Sequence, residues 1–252
     1  MLLLPIRLPS KRLVCKASKG WVYSQSHCST LNGPTIDDKC DFLMTVNQAM
    51  SLTLKRQLIK DELINDPSSA RGKLLTEAAK LFRQKGYDKT TVRDLAAALG
   101  IQSGSLFHHY KSKEAILHAV MRDTVIYTTA KLKQAAEPEQ QTRGKLLALI
   151  ESELDSINGD TGEAMAVLVF EWRGLSEESQ RAILKLRQEY EQLWLDTLSQ
   201  AKQEGLIRTD AALTRRLLTG ALSWSQNWYD SEGDMSMRAL AEEVLTMISA
   251  NG

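Results

Sequence analysis

Cysteine, proline and glycine are all scarce in this chain. Of its 252 residues three are Cys, five Pro and 14 Gly, and aromatics make up 6%. So few Pro and Gly exclude a collagenous or low-complexity chain, and a 43% hydrophobic content excludes a wholly disordered one. Cys15, Cys28 and Cys40 are odd in number and match no zinc spacing, which points to free thiols in a reducing cytoplasm rather than a disulfide framework. No apolar run is long enough to cross a bilayer, so no membrane partner is expected. No Gly-rich phosphate loop, metal-ligand spacing or nucleophile motif appears. A cytoplasmic non-enzyme needing neither cofactor nor metal is therefore expected.

The net charge of +1 conceals an asymmetry. Residues 66–122 carry ten Lys/Arg against five Asp/Glu, whereas residues 123–252 carry thirteen against twenty-one. A basic segment joined to a larger acidic one points to an anionic partner for the first only.

Residues 1–45 show no period and read as a disordered or untranslated extension, with Met44 and Met50 as candidate starts. Their early basic residues, with no acid before Asp37, are similar to an organelle transit peptide, but the extension is the plainer reading. In 46–67 the i+4 recurrence of Met50, Leu54 and Leu58 suggests an extra helix, which Asp66-Pro67-Ser68 ends. Beyond it the chain reads as helix after helix, without strand alternation or internal repeats. The expected helices are 68–85, 92–99, 103–110, 112–136, 142–157, 161–173, 177–204, 210–229 and 236–250, with Ser176, Asp210 and Ser236 as caps and Gly205 as a stop.

The most informative stretch runs from Lys73 to Leu117. Leu74, Leu75, Ala78, Leu81 and Phe82 line one helix face, and Gly86 ends that helix. Thr90 or Thr91 can cap 92–99, Gly100 allows a sharp turn, and Ser103 opens a second short helix. Two short helices joined by a Gly-containing turn, packed on a longer one, form a helix-turn-helix, whose second helix enters the major groove. Thr91, Arg93, Gln102, Ser103, Gly104, Ser105, His108, His109, Lys111 and Lys113 are the candidate contacts with double-stranded DNA. The small residues permit close approach, and the hydroxyl, amide, imidazole and ammonium groups suit phosphates and base edges. Arg71 and Arg93 fit phosphate contact and plain solvation equally. Phe82, Leu95, Leu99, Ile101, Leu106 and Tyr110 are expected to form the core of the unit. His108, His109 and His118 form no metal cluster, because adjacent helical side chains diverge by about 100°.

Residues 71–117 resemble the DNA-binding domain of the TetR/AcrR transcriptional regulators. The resemblance rests on Gly104-Ser105-Leu106-Phe107-His108-His109-Tyr110-Lys111-Ser112-Lys113 and on the Thr-Thr-Val-Arg-Asp-Leu-Ala segment before it. The departure is Phe107, where the family commonly has a Tyr whose hydroxyl contacts a phosphate; His108 or His109 is expected to carry more of the binding. The resemblance implies an all-α protein: a three-helix DNA-binding domain at 68–115 and a larger ligand-binding and dimerisation domain at 116–252.

That second domain has its own helical signal. Ile183, Leu186, Tyr190, Leu193, Trp194 and Thr197 form one stripe. Leu213, Leu217, Ala221, Trp224 and Trp228 form another, and Met237, Leu240, Ala241, Val244, Leu245 and Ile248 a third. In the family the last two helices of each subunit make a four-helix dimer bundle, although an intramolecular core would need the same apolar faces. Met121, Tyr127, Met165, Phe170, Trp172, Tyr190, Trp194, Trp224 and Trp228 are the candidate ligand-pocket residues. Glu171, Arg173 and Arg187 are rare charges on apolar helices. An Arg at a pocket mouth could pair with a carboxylate or phosphate, but surface solvation is the plainer reading.

The segment Ala221–Tyr229, with Trp224, Trp228 and Tyr229 ahead of the last helix, is similar to the tail of TetR-family regulators of fatty-acid and sterol breakdown. Their effectors are acyl-CoA thioesters, which makes an acyl-CoA the expected effector. The combined expectation is a homodimeric repressor that binds a palindromic operator and is released by a small hydrophobic molecule. The alternatives are an effector-independent regulator or activator and, further off, an enzyme with an accessory DNA-binding segment. A cavity too small for a ligand would favour the effector-independent alternative.

Overall fold

The computed structural model describes residues 50–250, in which no strand occurs. The expectations for residues 1–49, including the thiols of Cys15, Cys28 and Cys40 and the candidate start Met44, lie outside the described residues. Ten helices follow one another: α1 over residues 50–60, α2 Ala70–Lys85, α3 Val92–Ala98, α4 Ser103–Leu106, α5 Lys113–Ala136, α6 Thr142–Asn158, α7 Gly162–Phe170, α8 Glu177–Gln203, α9 Ala211–Trp224 and α10 Met237–Ile248. None of them is long and apolar enough to cross a membrane.

Caps explain most helix starts. The side chains of Ser69, Ser112, Ser176 and Ser236 each accept an N–H from the first turn of α2, α5, α8 and α10, and Asp210 accepts two at α9. Thr91 rather than Thr90 caps α3, in a reciprocal capping box with Asp94. Thr90 is fully buried, and its hydroxyl donates to Gly86 O at 2.8 Å and Leu81 O at 3.3 Å, serving carbonyls at the end of α2. Gly100 has φ of +66°, and the Ile101 N–H turns back to Ala96 O. A side chain at 100 would be strained there. That turn leaves Ile101 at its outer edge, 40% exposed, and corrects the expectation that Ile101 enters the core.

Three helices end earlier than expected. After Leu106 the N–H groups of Phe107, His108 and His109 bond three residues back instead of four, so α4 tightens into successive turns. A 3₁₀ turn, Trp172–Gly174, follows α7, and another, Ser225–Asn227, follows α9. The second is anchored by buried Ser225, which accepts from Asn158 Nδ2 at 2.8 Å and donates to Leu222 O at 2.7 Å.

One contiguous core runs from Leu74 on α2 to Leu245 on α10. The long helix α5 passes through it, packing against α2, α6, α7 and α8. A satellite cluster lies on another side of α5, where Leu58 of α1 and Ile64 cover Tyr127. Ser51 is hydrogen-bonded to the Tyr127 hydroxyl, and the Asn65 backbone and side-chain N–H groups both donate to Asp123 Oδ2. The extra helix at 46–67 is thus present in its described part and packed along α5.

Candidate nucleic-acid interface and interior cavity

Helices α2, α3 and α4 form the helix-turn-helix around Phe82, Leu95 and Leu106, which are all at most 1% exposed. On its outer surface Arg93, Gln102, Gly104, His108 and Lys111 are exposed, and Ser103, Ser105 and His109 are half-buried. Thr91 is exposed and Lys113 half-buried as well, so all ten candidate contacts have some access to solvent. Phe107 joins them at 53% exposure, an apolar ring where a tyrosine would present a hydroxyl.

Two candidates already have partners within the chain. The Thr91 hydroxyl donates to Asp94 Oδ2 at 2.7 Å, so its proton is not free for a phosphate. The same carboxylate accepts the Thr91 N–H, and Lys85 pairs with its other oxygen at 3.0 Å. Hydrogen bonds from Thr91, then Lys85, hold the Asp94 carboxyl well below its ordinary value. Lys113 donates to Tyr87 O at 2.8 Å and Thr90 O at 2.9 Å, with its ammonium 4.1 Å from the centre of the Tyr87 ring. It closes the loop after α2 from the first turn of α5, a positioning duty that its spacing in the sequence did not reveal. Arg71 lies over the Tyr110 ring at 5.8 Å.

Tyr87 also marks the junction with the rest of the protein. Its ring meets Phe82 edge-on at 5.3 Å. Opposite lies Gly174, where an added Cβ would come within 2.5 Å of the Tyr87 ring and 2.9 Å of Leu117. Nearby Glu114 at the start of α5 accepts from the Ser176 N–H at 3.0 Å and the Ser179 hydroxyl at 2.8 Å. These bonds, the Ser176 backbone first, lower the Glu114 carboxyl and tie the starts of α5 and α8 together.

Between α5, α6, α7, α8 and α9 lies a cavity of about 30 Å³. Val125 and Thr128 come from α5, Glu153 from α6, Met165, Leu168 and Val169 from α7, Arg187 and Tyr190 from α8, and Arg215, Thr219 and Ser223 from α9. That volume has room for about two water molecules. Of the nine expected pocket residues, Met165 and Tyr190 line it. Trp194 is fully buried beside it, with the Arg215 guanidinium 4.6 Å from its ring. Met121 is a fully buried core residue of α5, and Tyr127 faces α1 instead. Phe170, Trp224 and Trp228 are more than half exposed, and Trp172 is half-buried in the turn after α7. Spacing alone does not distinguish an aromatic that faces a cavity from one that faces solvent or a neighbouring helix.

The cavity wall holds a charged network that the aromatic signal missed. Arg215 Nη1 reaches both Glu153 oxygens at 3.3 and 3.1 Å, and its Nε donates to Glu191 at 3.0 Å. Glu191 also accepts from Arg187 at 2.8 Å. Burial opposes the charge of Arg215, but the carboxylates of Glu153 and Glu191 outweigh it and hold the guanidinium protonated. Burial, then the charge of Glu153, pushes the Tyr190 phenol far above its ordinary value, so it stays neutral. A signal was available: Ala211, Arg215, Leu218 and Leu222 share the buried face of α9, and Glu153 falls in the apolar row of Leu149, Ile150 and Ile157 on α6.

The stripe Leu213, Leu217, Ala221, Trp224 and Trp228 faces outward, with Leu217 and Trp224 each 63% exposed. The stripe of α10 is instead used within the chain, where Leu240, Ala241 and Leu245 are buried as α10 packs on α6.

Family models now decide the affiliation. Residues 74–120 match bacterial regulatory proteins of the tetR family, and residues 139–251 match the tetracyclin repressor-like C-terminal domain. The HTH-type transcriptional repressor KstR2 of Rhodococcus jostii is 30% identical over 72% of this chain and 90% of its own length. The chain belongs to the TetR family. Among solved structures, this TetR-family chain is similar to the ketosteroid transcriptional regulator KstR2 of Mycobacterium tuberculosis, at 27% identity and a TM-score of 0.65, covering 74% of this chain and 98% of that one. It is also similar to the superantigen PfiT, at 55% identity and a TM-score of 0.63, covering 75% of this chain and 100% of that one. The TetR-family protein is a transcriptional regulator of the repressor type, with an N-terminal helix-turn-helix and a helical C-terminal domain.

Proposed function

We propose that this protein is a homodimeric, ligand-responsive repressor that binds a palindromic operator and is released by a small hydrophobic effector, with acyl-CoA thioesters as the candidate class. The observation that carries this reading is the double duty of α7. It supplies Met165, Leu168 and Val169 to the cavity, packs on α2, and leads into the turn that seats Gly174 against Tyr87. An occupant that pushes α7 outward moves the frame that holds the helix-turn-helix. Release requires the effector to bind the displaced arrangement better than the DNA-competent one.

Support for a dimer comes from the outward stripe of α9, whose Gly220 has open space beyond it. A self-complementary apolar face of this kind suits a two-fold interface. Two readers about 34–36 Å apart would then meet successive major grooves. The domain limits proposed for this arrangement are 68–115 and 116–252. The proposed DNA contacts are Arg93, Gln102, Ser103, Gly104, Ser105, His108, His109 and Lys111. Proteins named KstR2 are described as transcriptional repressors and one as a ketosteroid regulator, which supports an apolar effector.

The small cavity favours a second reading, an effector-independent regulator, because the walls must part before an acyl chain can enter. Operator release distinguishes the two. Under the first reading octanoyl-CoA, or a longer thioester, lowers operator affinity at least tenfold in a fluorescence-anisotropy titration at about 0.15 M salt. Unchanged affinity across a series of chain lengths and steroid thioesters supports the second.

A further inference from the structure

The network beside the cavity contains two carboxylates in different circumstances. Glu153 has a side chain only 3% exposed and is held by Arg215, with the Tyr190 phenol beside it. Glu191 is 32% exposed, and its two oxygens bridge Arg187 and Arg215. Arg187 and Arg215 both line the cavity, while Glu191, one turn after Arg187 on α8, bridges them without lining it.

We propose that Arg187 and Arg215 form an anion subsite of the effector cavity, that Glu191 occupies it in the unliganded protein, and that the anionic group of an effector displaces Glu191 to solvent. The proposal rests on the effector reading above and adds the chemistry of the ligand's polar end. Charge balance sets that chemistry. Two guanidinium groups face two carboxylates as the network stands. When Glu191 swings out, Arg187 and Arg215 face Glu153 alone, leaving one positive charge to be met by one negative charge. Glu191 can leave because its carboxyl already reaches water, whereas a departing Glu153 would leave Arg215 unpaired in the interior. The vacated position between the two guanidinium groups is carboxylate-sized, and Thr128, Thr219 and Ser223 line the same cavity. The apolar wall of Val125, Met165 and Leu168 lies alongside to take an aliphatic body. Paired guanidinium groups recognise a carboxylate and a phosphate oxygen by the same kind of charged hydrogen bonds. A fatty acid carries its anion directly on the aliphatic body, whereas a CoA thioester carries its phosphates beyond the pantetheine arm, so the two probes differ in how far the aliphatic body lies from the subsite.

The test is isothermal titration calorimetry of the full chain with octanoate, octanoyl-CoA and octan-1-ol, comparing wild type with Glu191→Gln and Arg187→Gln. In wild type at least one anion binds about tenfold or more tightly than the alcohol, as expected for charged hydrogen bonds. Glu191→Gln, which removes the internal competitor, tightens the anions severalfold and leaves octanol unchanged. Arg187→Gln abolishes the preference for anions. Whether octanoate or octanoyl-CoA shows the larger gain identifies a carboxylate or a phosphate as the group bound. Octanol binding as well as the anions, or Glu191→Gln shifting all three alike, overturns the subsite and leaves the effector reading intact. Absence of binding by all three probes to every variant overturns both. If Glu191→Gln melts well below wild type, the Arg187→Gln comparison decides.

Discussion

Gly174 sits so close to Tyr87 that a Cβ on it would come within 2.5 Å of the tyrosine ring. The contact joins the turn after α7 to the loop after α2, and thus the cavity side of the protein to its helix-turn-helix. Gly174→Ala should force the two apart, with a loss of about 1–3 kcal/mol typical of overpacking. Thermal unfolding should register the loss, and anisotropy should show a changed operator affinity without any change to the DNA-facing residues. A variant that binds and melts like wild type would show that the junction yields freely.

Lys113 and Lys111 should behave differently although they are two residues apart. Lys113→Ala removes a clamp on Tyr87 O and Thr90 O and should cost about 1–3 kcal/mol of stability. Lys111 is exposed. Lys111→Ala should leave the melting temperature unchanged and reduce the salt dependence of DNA binding by about one phosphate contact. Melting curves and a salt series on both variants check the pair.

Phe107 presents an apolar ring on the reader surface. Phe107→Tyr adds the hydroxyl that the family's tyrosine carries and should tighten operator binding severalfold, at a net gain of about 1 kcal/mol for one hydrogen bond. Phe107→Ala should weaken it. Titrations of the three proteins on one duplex measure the order, and a weaker tyrosine variant would show that the ring makes an apolar contact instead.

The buried Arg215–Glu153 pair should be costly to break and cheap to replace. Arg215→Met alone strands Glu153 and should destabilise by about 3–5 kcal/mol, while Arg215→Met with Glu153→Leu should recover most of that loss. Burial raises the neighbouring Glu191 carboxyl, but Arg215 and Arg187 lower it by more, and its net value lies below the usual 4.5. A depressed carboxyl stabilises the fold above its unfolded value and loses that contribution as pH falls through the folded one. Stability should therefore hold above about pH 5 and decline below about pH 4.5, and Glu191→Gln should flatten that limb in urea titrations against pH.

Element type was legible almost throughout, because helical periods and Ser/Asp caps are local signals that need no knowledge of the partner. Ser176, Asp210 and Ser236 cap the helices they were expected to cap. The reader region was legible for the same reason: its small residues, turn glycine and basic flank lie within one short segment. Facing was harder to read. The stripe from Leu213 to Trp228 and the stripe of Arg215, Leu218 and Leu222 run along the same helix. Only tertiary packing shows that the first faces outward and the second holds the core. Tyr127 was misplaced for a related reason, since its neighbour α1 lies far away in sequence. Lys113 illustrates a third limit: an ammonium suits a phosphate and a set of loop carbonyls equally well, and the fold brings the carbonyls closer.

The central claim is sequence-specific DNA binding through α4 and the turns after it. Fluorescence anisotropy of the full chain on DNA from upstream of its own gene, against a scrambled duplex of equal length at about 0.15 M salt, tests it most directly. Wild type should prefer the upstream duplex by about 10³-fold or more. Ser105→Glu, and His108→Ala with His109→Ala, should abolish that preference while sedimentation shows the oligomer unchanged. Equal binding of wild type to both duplexes, or full affinity in the Ser105→Glu variant, would contradict the account.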